Sequence, residues 1–231
     1  MNAPSPRVLE AVVLKLCPLI EDRLDLAARR TVAERDLIYE LVCCVLSSRV
    51  PFELARAATD RMDQWLLLEM DVWKAPKPSL HERMLDILMA PLQLDGKERR
   101  YRFPRVRAKQ LEETRQALIK VSGGLPALID NSIEDLEARR RLVREVSGFG
   151  PKQASMFLRN VGRSYDLAIL DSHVMRFGCA IGILSGRAPT SLSQYEQLEK
   201  SFRHYADTTG YSVGCVDSAV WITMHAAQAS R

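Results

Sequence analysis

The chain has 231 residues, 47% of them hydrophobic and 27% charged, with a formal net charge of +4. That is enough chain for a full hydrophobic core, and too little excess charge for the whole molecule to act as a polybasic binder. Five scattered cysteines (Cys17, Cys43, Cys44, Cys179, Cys215) form no CxxC pair, and His81, His173, His204 and His225 stand at no ligand spacing. This argues against a zinc site and excludes a tight four-cysteine iron–sulfur cluster, and no metal or cofactor is expected. No apolar run approaches membrane-spanning length, and no basic region precedes the first apolar stretch. The expectation is a cytosolic monomer, nucleoid-associated in a prokaryote, with no membrane partner.

In chain order, Ser5 and Pro6 suit the cap and first turn of a helix carrying Leu9, Val12, Val13 and Leu16 at helical spacing, in a region that Arg29-Arg30 closes. Thr31-Val32-Ala33-Glu34 reads as a capping box. The helix after it (Leu37, Ile38, Leu41, Val42, Val45, Leu46) is apolar around most of its circumference, as a central core helix is. It gives way to Ser47-Ser48-Arg49-Val50-Pro51. Helices are predicted over 53–68 and 80–94, joined by the proline-broken connector 74–79. Between Lys97 and Lys109 seven cations, among them Arg99, Arg100 and Arg102, crowd around Tyr101 and Phe103, with Glu98 the one acid. Such a run is either a solvated face or a phosphate-binding one. Helix returns over 107–121 and stops at Gly123-Gly124. A short element at 125–129 and a helix from Ser132 lead to Val146. Further helices follow Asp171, then cover 195–205 and 217–227. No internal repeat or strand ladder is evident, so the fold reads as all-α.

The centre of the chain is Ser147-Gly148-Phe149-Gly150-Pro151-Lys152. Gly148 and Gly150 are expected to make a tight turn through positive φ, and Pro151 to open a second helix. The result is a helix–hairpin–helix whose second helix offers backbone N–H groups to an anion, with glycines that let a phosphate approach. Lys152 sits where the helix dipole disfavours an ammonium; with partial burial, its pKa is expected to fall toward that of a nucleophilic amine. Asp171, nineteen residues on, reads as the N-cap of the next helix, a place that suits catalysis equally well.

Gly148-Phe149-Gly150-Pro151-Lys152 followed by Leu170-Asp171-Ser172-His173 resembles the signature of the helix–hairpin–helix (HhH-GPD) DNA glycosylases. The wording of Ala154–Gly162 and Asp166–His173 is closer still to the type-2 8-oxoguanine glycosylase/AP lyases of archaea and some bacteria. The resemblance implies a single glycosylase domain over 1–231 with two helical lobes, a barrel lobe at about 50–165 and a second of about 1–49 plus 166–231, and a DNA cleft between them. It also implies duplex DNA with a modified base as partner, Lys152 as nucleophile and Asp171 as the carboxylate that steadies charge on the sugar. Arg49, with Ser48 the lesser candidate, stands where family members insert a side chain into the gap left by the flipped base; the alternative is a cation complementing a helix C-terminus. His173 either contacts a phosphate or is a satisfied interior histidine. Tyr101-Arg102-Phe103-Pro104 is similar to a recurring stretch of the family. Asp217-Ser218-Ala219-Val220-Trp221 matches the Asp-X-X-X-Trp of the last family helix, which implies that Asp217 and Trp221 contact the base; a core tryptophan is the alternative. The tail Met224–Arg231 departs from the lysine-ended tail of the family, so another modified base stays open beside 8-oxoguanine, as does a non-catalytic DNA-binding module.

Overall fold

The computed structural model describes residues 5–28, 32–74 and 79–229. Among them are twelve helices and one two-stranded hairpin. They form two compact units, one of residues 31–161 and one of residues 1–30 with 162–231. Residues 31–49 therefore belong with the continuous inner unit, and not with the chain termini as the sequence suggested. The reason is that α2 (Glu34–Leu46) packs along α3 (Phe52–Gln64), α6 (Pro104–Lys120), α7 (Gly124–Leu128) and α9 (Pro151–Asn160).

The inner unit is built on α2. Its residues 37, 38 and 41–46 are all buried, as the all-round apolar pattern predicts. Thr31 lies outside the described residues, and the N-cap of α2 is Ala33, which makes no side-chain cap bond. Glu34 pairs instead with Lys74, 3.1 Å away at the end of α4 (Met70–Lys74). Arg35 ties the same end of α2 to Asp63 at 2.6 Å and Glu69 at 2.9 Å. The connector residues 75–78 lie outside the described residues, as do Arg29-Arg30 and the termini 1–4 and 230–231.

The predicted helix over 80–94 is two elements. Helix α5 (Ser79–Met89) stops before Pro91, which removes a helical N–H. Strand β1 (Leu92–Leu94) then pairs antiparallel with β2 (Lys97–Arg99), Leu94 facing Lys97. Asp95 (φ 50°) and Gly96 (φ 72°) make the turn, both left-handed, as a two-residue hairpin turn that follows strand twist requires. Leu92 is buried while all of β2 is exposed. Lys97 and Arg99, at the start of the basic run, are thus held out in solvent on the hairpin.

The second unit packs α1 (Pro6–Ala28) against α12 (Val213–Ala229), with α10 (Ser172–Ala180) and α11 (Leu192–Thr209) around them. Leu9, Val13, Cys17 and Ile20 bury one stripe of α1, and Val12 turns outward. They meet Phe177, Phe202, Tyr205, Val216 and Val220. Cys17, Cys43, Cys44 and Cys215 are buried thiols and Cys179 is exposed; none is bridged.

Candidate active site

The hairpin joins α8 (Asp135–Glu145) to α9. Gly148 has φ +85°, and a Cβ there would come within 2.6 Å of the Gln110 side chain, so glycine is required twice over. Phe149 N–H donates to Val146 O (3.1 Å), and the buried Phe149 ring packs on Phe157 at 6.2 Å. Ser147 N–H donates to Thr114 Oγ1 at 3.0 Å, fixing the turn to α6. Gly150 corrects the expectation: at φ −104°, ψ 179° it is extended and in no left-handed strain. Nor does packing demand it, since an added Cβ would meet only Gln153 Oε1, at 3.5 Å. What the absent side chain does is leave the start of α9, entered through Pro151, without a side-chain cap.

Lys152 is half-buried on the first turn of α9, and its Nζ lies 3.3 Å from Met156 Sδ, one turn along. The facing surface of α2 carries Glu40 and Cys44. Asn160 Nδ2 donates to Glu40 Oε1 at 2.7 Å, and the Cys44 thiol donates to the same oxygen at 3.2 Å. Burial raises the Glu40 carboxyl above its ordinary pKa against the pull of these two bonds. Burial drives the Cys44 thiol far up, while the nearby Lys152 charge acts in the opposite direction.

The loop after α2 is held from the basic run. Tyr101 donates its hydroxyl to Leu46 O, and Arg107 donates to Ser48 O at 2.7 Å and to Gln110 Oε1 at 2.5 Å. On this mount Arg49 stands exposed with φ 61°. The run is therefore divided in purpose. Arg107 is buried and structural, while Lys97, Arg99, Arg100, Arg102, Arg105 and Lys109 are exposed. Arg102 lies over the Phe103 ring at 5.0 Å.

In the other unit, Asp171 is the N-cap of α10. Its Oδ1 accepts from His173 N–H (2.8 Å) and Val174 N–H (2.9 Å), the arrangement that orphan helix donors favour. Both bonds end on one oxygen; Oδ2 accepts from no described residue. His173, half-buried, comes within 6.0 Å of the Trp221 and His225 rings, and Trp221 stacks on His225 at 4.9 Å and 13°. Arg176 Nη2 lies 3.3 Å from His173 Nδ1. Burial lowers the His173 pKa, Asp171 opposes this, and Arg176 and His225 add to it. Trp221 is 45% exposed, which removes the core alternative. Asp217 is only 2% exposed, and its Oδ2 accepts from Ile169 N–H at 2.7 Å. The i, i+4 spacing puts the two on neighbouring lines of α12, but one points inward and the other out.

Two further residues act with Asp217 and carry no local signal in the sequence. Glu199 Oε1 accepts from Ala168 N–H at 2.9 Å, and Tyr195 Oη accepts from Leu170 N–H at 3.0 Å.

A helix start stripped of its side-chain cap, closed behind by a left-handed glycine and bearing a lysine in its first turn, can hold a phosphate and present it with an amine. The chain belongs to the helix–hairpin–helix 8-oxoguanine DNA glycosylase family, whose model matches residues 21–211. It is 32% identical to the 8-oxoguanine DNA glycosylase/AP lyase of Metallosphaera sedula over 192 residues, 83% of each chain. The fold matches the crystal structure of the Thermotoga maritima 8-oxoguanine DNA glycosylase with a TM-score of 0.67 and 28% identity, covering 94% of this chain and 93% of that one. It also matches the Methanocaldococcus jannaschii 8-oxoguanine glycosylase/lyase, solved in complex with a 15mer DNA containing 8-oxoguanine. There the TM-score is 0.64 at 22% identity over 88% of each chain, a likeness of fold. The all-helical HhH-GPD reading of the sequence thus holds, with one small hairpin added. Among the described residues no helix is long and apolar enough to cross a membrane.

Proposed function

We propose that the chain removes 8-oxoguanine from duplex DNA and then cleaves the strand at the abasic site it has made. The observation that carries this reading is Lys152 on the first turn of the uncapped α9, behind Gly148 and Gly150. The start of α9 receives a backbone phosphate, and the exposed Arg99, Arg100 and Arg102 add contacts that position without reading sequence. The target nucleotide leaves the stack, because its glycosidic carbon is inaccessible inside the duplex. Trp221 offers a π face to the extruded base, His173 contacts an adjoining phosphate, and Arg49 enters the gap left behind.

As the bond from C1′ to the base nitrogen breaks, positive charge grows on the sugar, and the base leaves with the electron pair. The Asp171 carboxylate opposes that charge through Oδ2, the oxygen not engaged in capping. The neutral amine of Lys152 bonds to C1′ and gives one proton to solvent; the C1′–O4′ bond then breaks, O4′ takes up the second proton, and a Schiff base is left. The imine acidifies the C2′ hydrogen; water accepts that proton, the C3′–O bond breaks, and the 3′ phosphate leaves with the electron pair, which cuts the strand. The protein acts as a monomer, and its unbridged cysteines fit a reducing cytosol. The test is borohydride trapping on a duplex with 8-oxoguanine opposite cytosine. The wild-type protein should become covalently attached and Lys152→Gln should not. Full trapping by Lys152→Gln would make another amine the nucleophile.

A second reading, the same chemistry on a different modified base, is favoured by one observation: His225 is stacked on Trp221 and takes part of the ring surface. A panel of duplexes with one lesion each separates the two.

A further inference from the structure

The segment that delivers Asp171 is neither helix nor strand. Residues 168–170 have no ladder partner, and Ala168 and Leu170 are buried. Buried backbone groups in such a place must find other partners. Three consecutive N–H groups do so on three side chains: Ala168 on Glu199 Oε1 (2.9 Å), Ile169 on Asp217 Oδ2 (2.7 Å) and Leu170 on Tyr195 Oη (3.0 Å). The Tyr195 hydroxyl closes the set by donating to Ala168 O at 2.7 Å. Asp171 N–H then turns back onto Ile169 O at 2.8 Å. Tyr195, Glu199 and Asp217 are 2%, 3% and 2% exposed. Tyr195 and Glu199 lie one turn apart on α11, and Asp217 comes from α12.

Burying two carboxyl side chains is costly unless their bonds are made well. A segment that only had to be buried could have been paired with a strand. Here each bond fixes a single peptide plane, the last of them that of Ile169–Leu170, and the Asp171 N–H bond to Ile169 O holds the plane that follows. We infer that Tyr195, Glu199 and Asp217 are positioning residues for the reaction, which hold the 168–170 backbone so that the Asp171 carboxylate stands at a fixed place. The inference rests on the proposed role of Asp171. It gives Asp217 a task other than meeting the base. A displacement of about 1 Å at a reacting group can cost on the order of 10²-fold in rate, so the effect should be large while leaving DNA binding alone.

The measurement is single-turnover excision of 8-oxoguanine at saturating protein, with duplex affinity and melting temperature taken alongside. Tyr195→Phe keeps the ring and removes the hydroxyl. It should slow excision by roughly ten- to a hundred-fold and leave duplex affinity within about twofold. Asp217→Asn retains an acceptor for Ile169 N–H and should stay near wild type, whereas Asp217→Ala should fall with Tyr195→Phe. The deciding comparison is a double-mutant cycle. In an Asp171→Asn background Tyr195→Phe should cost nothing further, because the group it positions has lost its charge. An equal loss in both backgrounds, or parallel loss of affinity and rate, would overturn the inference and leave the three residues as ordinary structural ones. Equal loss in Asp217→Asn and Asp217→Ala, confined to particular lesions, would return Asp217 to the base. Full activity of Asp171→Asn by itself would defeat the proposed role of Asp171, a failure visible before the cycle is made.

Discussion

Gly148 and Gly150 stand two residues apart in one turn, and the structure assigns them opposite consequences. Gly148→Ala places a Cβ-bearing residue at φ +85°, which costs about 1–2 kcal/mol. The new Cβ also meets Gln110 at 2.6 Å, and moving that side chain gives up its 2.5 Å bond from Arg107, worth about 0.5–1.5 kcal/mol. A less flexible unfolded chain returns about 0.4–1 kcal/mol, leaving a net destabilisation of roughly 2 kcal/mol. At about 2–4 °C per kcal/mol for a chain of this size, the melting temperature should fall by roughly 4–8 °C. Gly150→Ala meets nothing closer than 3.5 Å and needs no left-handed backbone, so the melting temperature should hold or rise slightly. Its methyl group instead crowds the start of α9, where the phosphate is to sit. Affinity for duplex should drop, and the slope of log affinity against log salt should shrink by about 0.9 if one phosphate is no longer neutralised. Calorimetry and a binding titration at several salt concentrations read both. The reasoning is refuted if Gly150→Ala destabilises as much as Gly148→Ala, or if Gly150→Ala binds duplex as the wild type does.

Asp171→Asn keeps a good helix cap, so folding and duplex affinity should be preserved while base release falls by roughly 10²-fold or more; unchanged release would leave Asp171 a cap only. Replacing Arg99, Arg100 and Arg102 together should weaken binding to damaged and intact duplex alike and flatten the salt dependence, measured by titration; an unaltered slope would mark them as plain solvated charges. Trp221→Ala should reduce excision about ten- to a hundred-fold, from about 1–3 kcal/mol of missing stacking energy, while cleavage of a ready-made abasic site survives. Equal loss of both activities would remove the ring from base binding.

What could be read from the sequence was local. The buried circumference of α2, the left-handed Gly148, Pro151 opening α9 and the capping by Asp171 are each set by a few adjacent residues. The β1–β2 hairpin had its signal, Asp95-Gly96 between short alternating runs, but the leucines and methionines of α5 continued a helical pattern over it. Arg107 and Tyr101 are chemically the same as their exposed neighbours, and only the arrival of the α2 loop beside them makes them structural. Asp217 shared a spacing with Trp221 that carried no information about depth, since i and i+4 differ by about 40° around a helix. Glu199 and Tyr195 serve a backbone segment 25 to 31 residues away in the chain, beyond the reach of any periodicity.

The loop after α2 behaves as a mount whose fitting can be exchanged. Its backbone is clamped from below at Leu46 O and Ser48 O, and neither clamp involves the side chain of residue 49. Arg49 bears the left-handed conformation itself, at φ 61°, a cost of about 1–3 kcal/mol for a residue other than glycine. Asparagine accepts that conformation more readily, so Arg49→Asn would shorten the reach of the side chain and relax the backbone in one step. Length, charge and hydrogen-bonding pattern at the tip can thus vary without disturbing Arg107, Tyr101 or the core helix beneath. On the proposed role of Arg49, the side chain that fills the gap can therefore be exchanged at a single position, while the machinery that breaks the bond stays as it is.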